Sequence, residues 1–291
     1  MFGILPWREE ILEGLLGSDV VGFHTKKYAN HFIECVQRFT PHQATGDVIH
    51  AGRREVKVVV APIGIPVDEL QALAVDPGVQ QEAERIRQTM GNRRVIIGVD
   101  RLDYTKGIPE RLAAFEGLLK RERTARREYA FVQVMVPSRT DVKAYADLKE
   151  EIDRMVGDIN GRYSDAGRIP IHYMYRNLDQ RALFAHYCAA DVALITPLRD
   201  GMNLVAHEYV ASRANEDGVL ILSEFAGAAE HLKGAVLVNP YDVNSVTAAV
   251  QQALHMKPNE TKKRMRSLRS EVTNLDVHRW ADRYIEILEG T

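Results

Sequence analysis

The sequence predicts an α/β fold built on a doubly wound parallel sheet. From about residue 95 onward, short apolar runs alternate with amphipathic segments, which is the pattern of repeated β-α units. The runs are nearly continuously apolar, as expected for strands that are covered on both faces. The predicted strands are Val95–Val99, Ala130–Val136, Pro170–Tyr175, Val192–Thr196, Val219–Leu222 and Ala235–Val238.

The amphipathic segments between these runs predict helices. The first one, 108–123, places Leu112, Phe115 and Leu118 on one stripe. It carries Pro109 in its first turn, where proline is tolerated. The other predicted helices are 142–157, 179–189, 203–214, 225–232 and 242–255.

The two ends of the chain do not follow this alternation. The first 70 residues predict a helix at 7–16, a strand at Asp19–Phe23, a helix at 26–38 and a hairpin that pairs Asp47–Ala51 with Glu55–Ala61. These are too few strands for a self-contained α/β domain, and Pro62–Pro66 is interpreted as a linker. At the other end, 258–269 predicts a solvated helix, and the last helix has Trp280, Tyr284 and Ile287 on one face.

Composition excludes several function classes. The 291 residues carry a net charge of -2 and are 45% hydrophobic, which is typical of a globular protein and argues against a general binder of nucleic acid or of membrane surfaces. Cys35 and Cys188 are far apart and form no CxxC pair, so we expect no disulfide framework and a cytoplasmic location. No apolar run approaches 18 residues, and the N-terminus lacks the features of a signal peptide.

Two cations follow the first predicted strand. Arg101 and Lys106 lie just beyond Val95–Val99, and ligands of an open parallel sheet bind beyond the carboxyl ends of its strands. A planar guanidinium and a point-charge ammonium together suit a diphosphate. The alternative is structural: Arg101 pairs with Asp100 or Asp103, and Lys106 is a solvated loop residue.

A second candidate site, Thr196–Glu208, follows another apolar run. Gly201 lets the backbone approach a ligand, and a helix predicted to start near Asn203 directs its free amides at an anion. Glu208, one turn inside that helix, is placed to accept hydrogen bonds from ribose hydroxyls, and Asp200 from a sugar hydroxyl. The alternative reading makes Asp200 a helix cap and Glu208 a surface residue.

Weaker signals complete the pattern. Arg139 stands at a third strand end, and 223–230, rich in small residues, indicates close packing of a helix on the sheet. The sequence contains no GxGxxG, no P-loop, no HExxH, no GxSxG and no DxD. No metal site is therefore predicted.

Six stretches of the sequence together resemble the trehalose-6-phosphate synthase family, which consists of retaining glycosyltransferases with the two-domain GT-B fold. The resemblance runs over essentially the whole chain. The stretches are LPWREEILEGLLGSDVVGFHT, VVVAPIGI, GVDRLDYTKGI, MVPSR, LRDGMNLVAHEYVA and LSEFAGAA.

The resemblance implies a role for each matching residue. Arg101 and Lys106 match the pair that binds the donor diphosphate, and with Asp200, which accepts from glucose hydroxyls, they are the implied catalytic residues. Arg139 matches a residue that reaches the acceptor phosphate. The implied donor-binding residues are Arg101, Lys106, Leu178, Asp200, Gly201, Met202, Asn203, Leu204, Val205 and Glu208.

The reaction implied by the resemblance is transfer of glucose from UDP-glucose to glucose 6-phosphate with retention, giving α,α-trehalose 6-phosphate and UDP. No cofactor or metal is implied, because catalysis would rest on positioning and electrostatics. Two alternatives stay open: a synthase with another phosphorylated acceptor such as glycerol 3-phosphate, and a nucleotide-sugar-binding or regulatory fragment without turnover. The sequence also leaves the oligomeric state open, a homo-oligomer included.

The resemblance further implies a division of the chain. Residues 1–66 would be a remnant of the N-terminal, acceptor-side Rossmann-like domain, because most of that half of the family pattern has no counterpart here. Residues 67–275 would be the C-terminal nucleotide-sugar-binding domain, and 276–291 a helix that packs back toward the N-terminal part. On this expectation the sequence is a fragment, or something else completes the cleft.

Overall fold

The structure, a computed structural model, describes residues 2–165 and 167–290. The helices are α1 (Arg8–Leu15), α2 (Lys26–Phe39), α3 (Val67–Ala74), α4 (Pro77–Thr89), α5 (Ile108–Arg121), α6 (Lys143–Tyr163), α7 (Gln180–Ala189), α8 (Leu204–Ser212), α9 (Val243–Leu254), α10 (Pro258–Asn274) and α11 (Val277–Glu289). The strands are β1 (Val20–Phe23), β2 (Gln43–Thr45), β3 (Val48–Ala51), β4 (Arg54–Val60), β5 (Arg94–Arg101), β6 (Tyr129–Val136), β7 (Ile171–Tyr175), β8 (Val192–Ile195), β9 (Val219–Ser223) and β10 (Val236–Val238). Short 3-10 turns occur at Phe2–Ile4, Tyr104–Lys106, Arg126–Glu128 and Gly227–Glu230.

The chain divides into two compact units. Unit 1 comprises the residues up to Gly64 together with those from Leu275 on, and unit 2 comprises Ile65–Asn274. Unit 1 is therefore discontinuous in sequence, whereas unit 2 is one continuous segment.

Unit 1 contains a four-stranded sheet in the order β1-β4-β3-β2. β1 pairs with β4 in parallel, and the other pairs are antiparallel. Side chains of α1 and α2, such as Leu12, Phe32 and Val36, pack with Ile49 and Val56 of the sheet in a buried apolar cluster. This cluster is the core of the unit.

Helix α11 belongs to unit 1 through contacts with residues at the opposite end of the chain. Trp280 donates its indole N–H to the carbonyl of Ala61 at 3.0 Å and stacks on Tyr284. A Cβ added to Gly22 of β1 would lie 3.0 Å from the ring of Tyr284. The predicted face of Trp280, Tyr284 and Ile287 is the half-buried face of the helix.

Gly64 lies against the point where the chain re-enters unit 1. A Cβ at Gly64 would come within 1.2 Å of the backbone oxygen of Leu275. No larger residue fits at this position without a shift of the backbone, so the glycine permits the close approach of the two segments.

Unit 2 is built on a six-stranded, all-parallel sheet in the order β10-β9-β8-β5-β6-β7. Counted from β5 as its first strand, the order reads 6-5-4-1-2-3, which is the order of the Rossmann fold. Strands β5, β6, β8 and β9 are almost entirely buried, as required when helices cover both faces. The predicted doubly wound parallel sheet is confirmed.

The predicted strands of unit 2 each correspond to an observed strand within a few residues, but some helix predictions are wrong. The segment 225–232 forms only the 3-10 turn Gly227–Glu230. The helix predicted as solvated at 258–269 is longer, and it buries Met265, Leu268 and Val272. Helices α3 and α4 and strand β2 were not predicted.

Candidate active site

The loops that follow β5 and β8 meet at the carboxyl edge of the unit 2 sheet. β5 and β8 are neighbours, and the chain leaves them toward opposite edges of the sheet, so they flank the topological switch point where ligands of such sheets bind. The backbone carbonyl of Thr105 accepts from the amides of Leu198 at 2.7 Å and Arg199 at 3.3 Å. The two loops are therefore fixed to each other.

Gly107 makes this meeting of the loops possible. Its φ of +63° lies in the left-handed region, and a Cβ would stand 2.5 Å from the carbonyl oxygen of Thr196. Only glycine satisfies both conditions. Gly107 is also the C-cap of the turn Tyr104–Lys106 and the N-cap of α5, so it joins the turn that carries Lys106 directly to the helix.

Lys106 and Asp200 form an ion pair across the two loops. The ammonium lies 2.6 Å from Asp200 Oδ2, and both side chains are about 15% exposed (16% and 15%). The side-chain amide nitrogen (Nδ2) of Asn203 donates to the same oxygen at 3.1 Å. Lys106 is thus not a solvated loop residue, and two of its three N–H donors remain for a ligand.

Arg101 is exposed at the end of β5. Neither carboxylate considered as its partner is available, because Asp100 pairs with Arg111 in the interior and Asp103 accepts from Thr105 and Tyr145. Within residues 2–165 and 167–290 the guanidinium has no ion pair or hydrogen bond. The structural alternative for Arg101 is therefore wrong.

The amino-terminal end of α8 completes this edge. Asn203 is the N-cap, with φ +81°, and its side chain accepts from the amide of Ala206 at 3.2 Å. Leu204 and Val205 occupy the first two helical positions, whose amides have no acceptor inside the helix. The helix dipole adds a partial positive charge there, so anion-binding groups converge near the cations. The predicted helix start at this point is confirmed.

The segment Ser223–Glu230 packs against the loop that precedes α8 and stabilises it. The amides of Gly227 and Ala228 donate to the carbonyls of Asp200 at 3.1 Å and Met202 at 2.8 Å. These amides are thus committed to the β8–α8 loop, which explains why the segment forms one turn rather than the predicted helix. The segment thus holds the backbone of Asp200 and Met202, and the side chain of Asp200 is held in addition by Lys106 and Asn203.

Gly201, in contrast, is exposed and a Cβ added to it would meet no atom within 4 Å. Its φ lies outside the left-handed region. The protein itself therefore sets no steric requirement for glycine at this position.

Glu208 lies one turn inside α8 and is half-buried. Its Oε2 accepts from the hydroxyl of Tyr187 of α7 at 2.9 Å. Burial raises the pKa of Glu208, and the hydrogen bond from Tyr187 only partly opposes this effect. Leu178 lies between the end of β7 and the N-cap Asp179 of α7, and it is half-buried. Glu208 is thus tied to the helix that begins beside Leu178, rather than to the ion pair.

Arg139 is connected to the Lys106 loop through a tyrosine. Its guanidinium donates to the hydroxyl of Tyr145 at 2.7 Å, and this hydroxyl donates to Asp103 at 3.2 Å. Burial raises the pKa of Asp103, but the hydrogen bonds from Thr105 and Tyr145 outweigh it, so the pKa lies below its ordinary value. The third predicted strand end is therefore linked to the first.

Arg111 is a residue of this site that the sequence reasoning missed. It is fully buried (0% exposed) and pairs with Asp100. It also donates to Thr196 at 3.2 Å and to the carbonyl of Lys106 at 3.3 Å. One guanidinium thus joins β5, the β8 loop and the turn of Lys106. Burial raises the pKa of Asp100 against the opposing effect of Arg111.

The described residues contain no group of three or more His, Cys, Asp or Glu side chains that could hold a metal ion. Among the helices of the described ranges, none is long and apolar enough to cross a membrane.

The site therefore brings together Lys106, from the loop after β5, and Asp200, Met202 and Asn203, from the loop after β8. Arg101 is exposed at the end of β5. A Rossmann-type parallel sheet with cations and a helix amino terminus at its switch point places this unit in the doubly wound α/β class, whose ligands bind at this edge of the sheet. The sequence model of "Glycosyltransferase family 20" matches residues 1–290. The chain belongs to this family.

Known relatives agree with this assignment. The trehalose-6-phosphate synthase of Mycobacterium sp. (strain KMS) is 46% identical over 301 residues, which cover 100% of this chain and 62% of the relative. A structure of the E. coli protein bound with UDP-2-fluoro glucose superposes with a TM-score of 0.95 at 35% identity, covering 100% of this chain and 65% of that one.

A third relative is an α,α-trehalose-phosphate synthase (UDP-forming) from Burkholderia xenovorans in complex with glucose-6-phosphate. It has a TM-score of 0.95 and 35% identity, and it covers 99% of this chain and 65% of that one. The chain thus spans under two thirds of the length of each of these relatives. The family resemblance and the GT-B fold expected from the sequence are confirmed.

Proposed function

We propose that this chain binds UDP-glucose at the β5–β8 switch point and transfers glucose to glucose 6-phosphate. The products are α,α-trehalose 6-phosphate and UDP, with retention at the anomeric carbon. The observation that carries the proposal is the convergence of Arg101, the Lys106–Asp200 pair and the amino terminus of α8. The relatives from E. coli and B. xenovorans, with UDP-2-fluoro glucose and glucose-6-phosphate, support the identity of donor and acceptor.

The proposed chemistry places positive charge where negative charge develops. As the bond to the anomeric carbon breaks, charge accumulates on the departing UDP oxygen. Arg101, the free donors of Lys106, and the amides of Leu204 and Val205 would stabilise that charge without reorganisation, which is the largest effect available to such a site. Oδ2 of Asp200 would stay paired with the ammonium of Lys106, and Oδ1 would accept a hydrogen bond from a glucose hydroxyl.

The remaining residues would hold the two substrates. The carboxylate of Glu208 would accept from the ribose hydroxyls, backbone groups at Leu178 would contact the uracil, and the guanidinium of Arg139 would bind the acceptor phosphate. Backbone of Gly201, Met202 and Asn203 would lie beside the glucose. This scheme needs positioning and electrostatics only.

The test is release of UDP from UDP-glucose by this chain, with and without glucose 6-phosphate. We expect release that depends on glucose 6-phosphate and that Arg101→Ala lowers UDP-glucose affinity by roughly 1.5–3 kcal/mol, the range for a charge-assisted hydrogen bond. Arg123→Ala is the matched control, because Arg123 is an exposed arginine just beyond the far end of α5. Binding of UDP-glucose without any release would instead favour a donor-binding chain without turnover. Unchanged affinity in Arg101→Ala would refute the proposed role of Arg101 at the donor diphosphate. Release with glycerol 3-phosphate in place of glucose 6-phosphate would identify the other acceptor.

A further inference from the structure

We propose that Tyr145 is a positioning residue that holds Arg139 ready for the phosphate group of a sugar-phosphate acceptor. The inference rests on the proposed function, since it concerns the acceptor side of the same site. Tyr145 lies in the first turn of α6 and is 3% exposed. It is the contact through which the arginine is tied to the Lys106 loop.

Arg139 is held by two features of Tyr145 at once. The arginine donates through Nη1 to the hydroxyl at 2.7 Å, and its guanidinium carbon lies 5.5 Å from the centre of the same ring. Both contacts act on a side chain that is otherwise exposed. A free arginine must lose about 2 kcal/mol of rotamer entropy when it binds a ligand, whereas one that is already ordered loses less.

The backbone of Arg139 indicates that this placement is specified. Its φ of +49° lies in the left-handed region, which is uncommon for residues other than glycine. The carbonyl of Arg139 accepts from the amide of Val142 at 3.0 Å, so the turn leads directly into α6. Strained backbone of this kind persists where the surroundings determine it, often at ligand sites.

The anchoring leaves the arginine free to bind an anion. A guanidinium has five N–H donors, and Tyr145 takes one of them. The remaining fork can engage a phosphate in the bidentate manner that arginine favours. The hydroxyl does not compete for the phosphate, because its single hydrogen is donated to Asp103.

Asp103, which accepts from the Tyr145 hydroxyl, connects the arginine to the turn that carries Lys106. Asp103 caps the turn Tyr104–Lys106 through the amide and hydroxyl of Thr105, at 2.8 and 2.7 Å. Lys106 follows directly and pairs with Asp200. Tyr145 therefore fixes Arg139, the side chain proposed to bind the acceptor phosphate, relative to Lys106, the side chain proposed to bind the donor diphosphate.

The test measures binding of glucose 6-phosphate by calorimetry to the full chain loaded with UDP, in wild type, Tyr145→Phe, Arg139→Ala and the double variant. We expect Tyr145→Phe to weaken glucose 6-phosphate binding roughly five- to tenfold, the effect of one lost hydrogen bond, and to leave UDP affinity within about twofold, since Thr105 still caps the turn. In the Arg139→Ala background the tyrosine change should have no further effect. Tyr163→Phe is the control, because that hydroxyl, at the other end of α6, donates to Glu116 of α5 at 3.4 Å.

Three results would overturn the inference: unchanged glucose 6-phosphate affinity in Tyr145→Phe, an equal loss with and without Arg139, or an equal loss of UDP affinity. Failure of wild type to bind UDP would be a different result. It would refute the proposed function, and the inference would fall with it.

Discussion

Gly201 has no partner inside the protein that requires a glycine. Its backbone is not left-handed, and the space around a Cβ is open. We therefore predict that Gly201→Ala leaves the unfolding midpoint unchanged but weakens UDP-glucose binding by about 1–3 kcal/mol, the usual cost of overpacking. The ligand, rather than the protein, would supply the clash.

The matched control for this prediction is Gly157→Ala in α6, where a Cβ is likewise unopposed. That change should raise stability by up to about 1 kcal/mol through helix propensity and leave UDP-glucose binding alone. Equal affinity of wild type and Gly201→Ala would show that the loop does not approach the ligand closely.

At the residue scale, the sequence analysis identified the charged side chains of the candidate site but not the buried side chains that hold the loops of the site in place. Arg101, Lys106 and Asp200 could be found because each follows an apolar run. Arg111 and Tyr145 were missed because each joins loops that only the fold brings together, Arg111 through Thr196 and Tyr145 through Asp103. A signal for Arg111 was present: it shares the apolar face of Phe115 and Leu118 at positions i, i+4 and i+7, where a charged residue needs a buried partner.

At the scale of elements, the Asp100–Arg111 pair joins β5 to α5 beneath the site. We predict that Arg111→Met lowers the free energy of unfolding by about 3–5 kcal/mol, because Asp100 is left buried and unpaired. Urea titration followed by circular dichroism measures this change.

The double variant Asp100→Leu with Arg111→Met separates charge from packing. Replacement of both members of a buried pair by apolar residues is often neutral or stabilising, so the double variant should regain most of the lost stability. A double variant no more stable than the single one would show that the hydrogen bonds to Thr196 and Lys106, rather than the unpaired carboxylate, dominate.

Strands and helices could be predicted from the sequence where their apolar residues followed a single clear pattern. The buried strands of unit 2 had continuous apolar runs, and α5 had a clear stripe. The prediction of a helix in the segment 223–230 was wrong because its small residues fit a helix or a packed turn equally well. The choice depended on the carbonyls of Asp200 and Met202, which lie in another loop.

At the scale of the whole molecule, His207 links stability to pH. It is fully buried, and burial lowers its pKa to about 4 from an ordinary 6.5. Above pH 6.5 both the folded and the unfolded chain hold a neutral imidazole. As the pH falls from 6.5 to about 4, the unfolded chain binds a proton that the folded chain does not, so the free energy of unfolding falls by up to roughly 3 kcal/mol.

His207→Gln should flatten that dependence, because glutamine does not titrate and can still donate to the carbonyl of Asn203, the contact that His207 makes now. His255→Gln is the control at an imidazole that is 58% exposed. The measurement is urea unfolding at several pH values between 4.5 and 7. A variant slope equal to that of wild type would mean that His207 is not the group responsible.

The discontinuity of unit 1 has a consequence for the order in which the chain can fold during synthesis. The strands of unit 1 leave the ribosome first, yet α11, which covers Gly22 and bonds to Ala61, emerges only after all of unit 2. Domains generally fold as their residues appear, so unit 2 can fold around its own core before α11 is available to unit 1. Until then the carbonyl of Ala61 and one face of β1 stay open to water and to other chains.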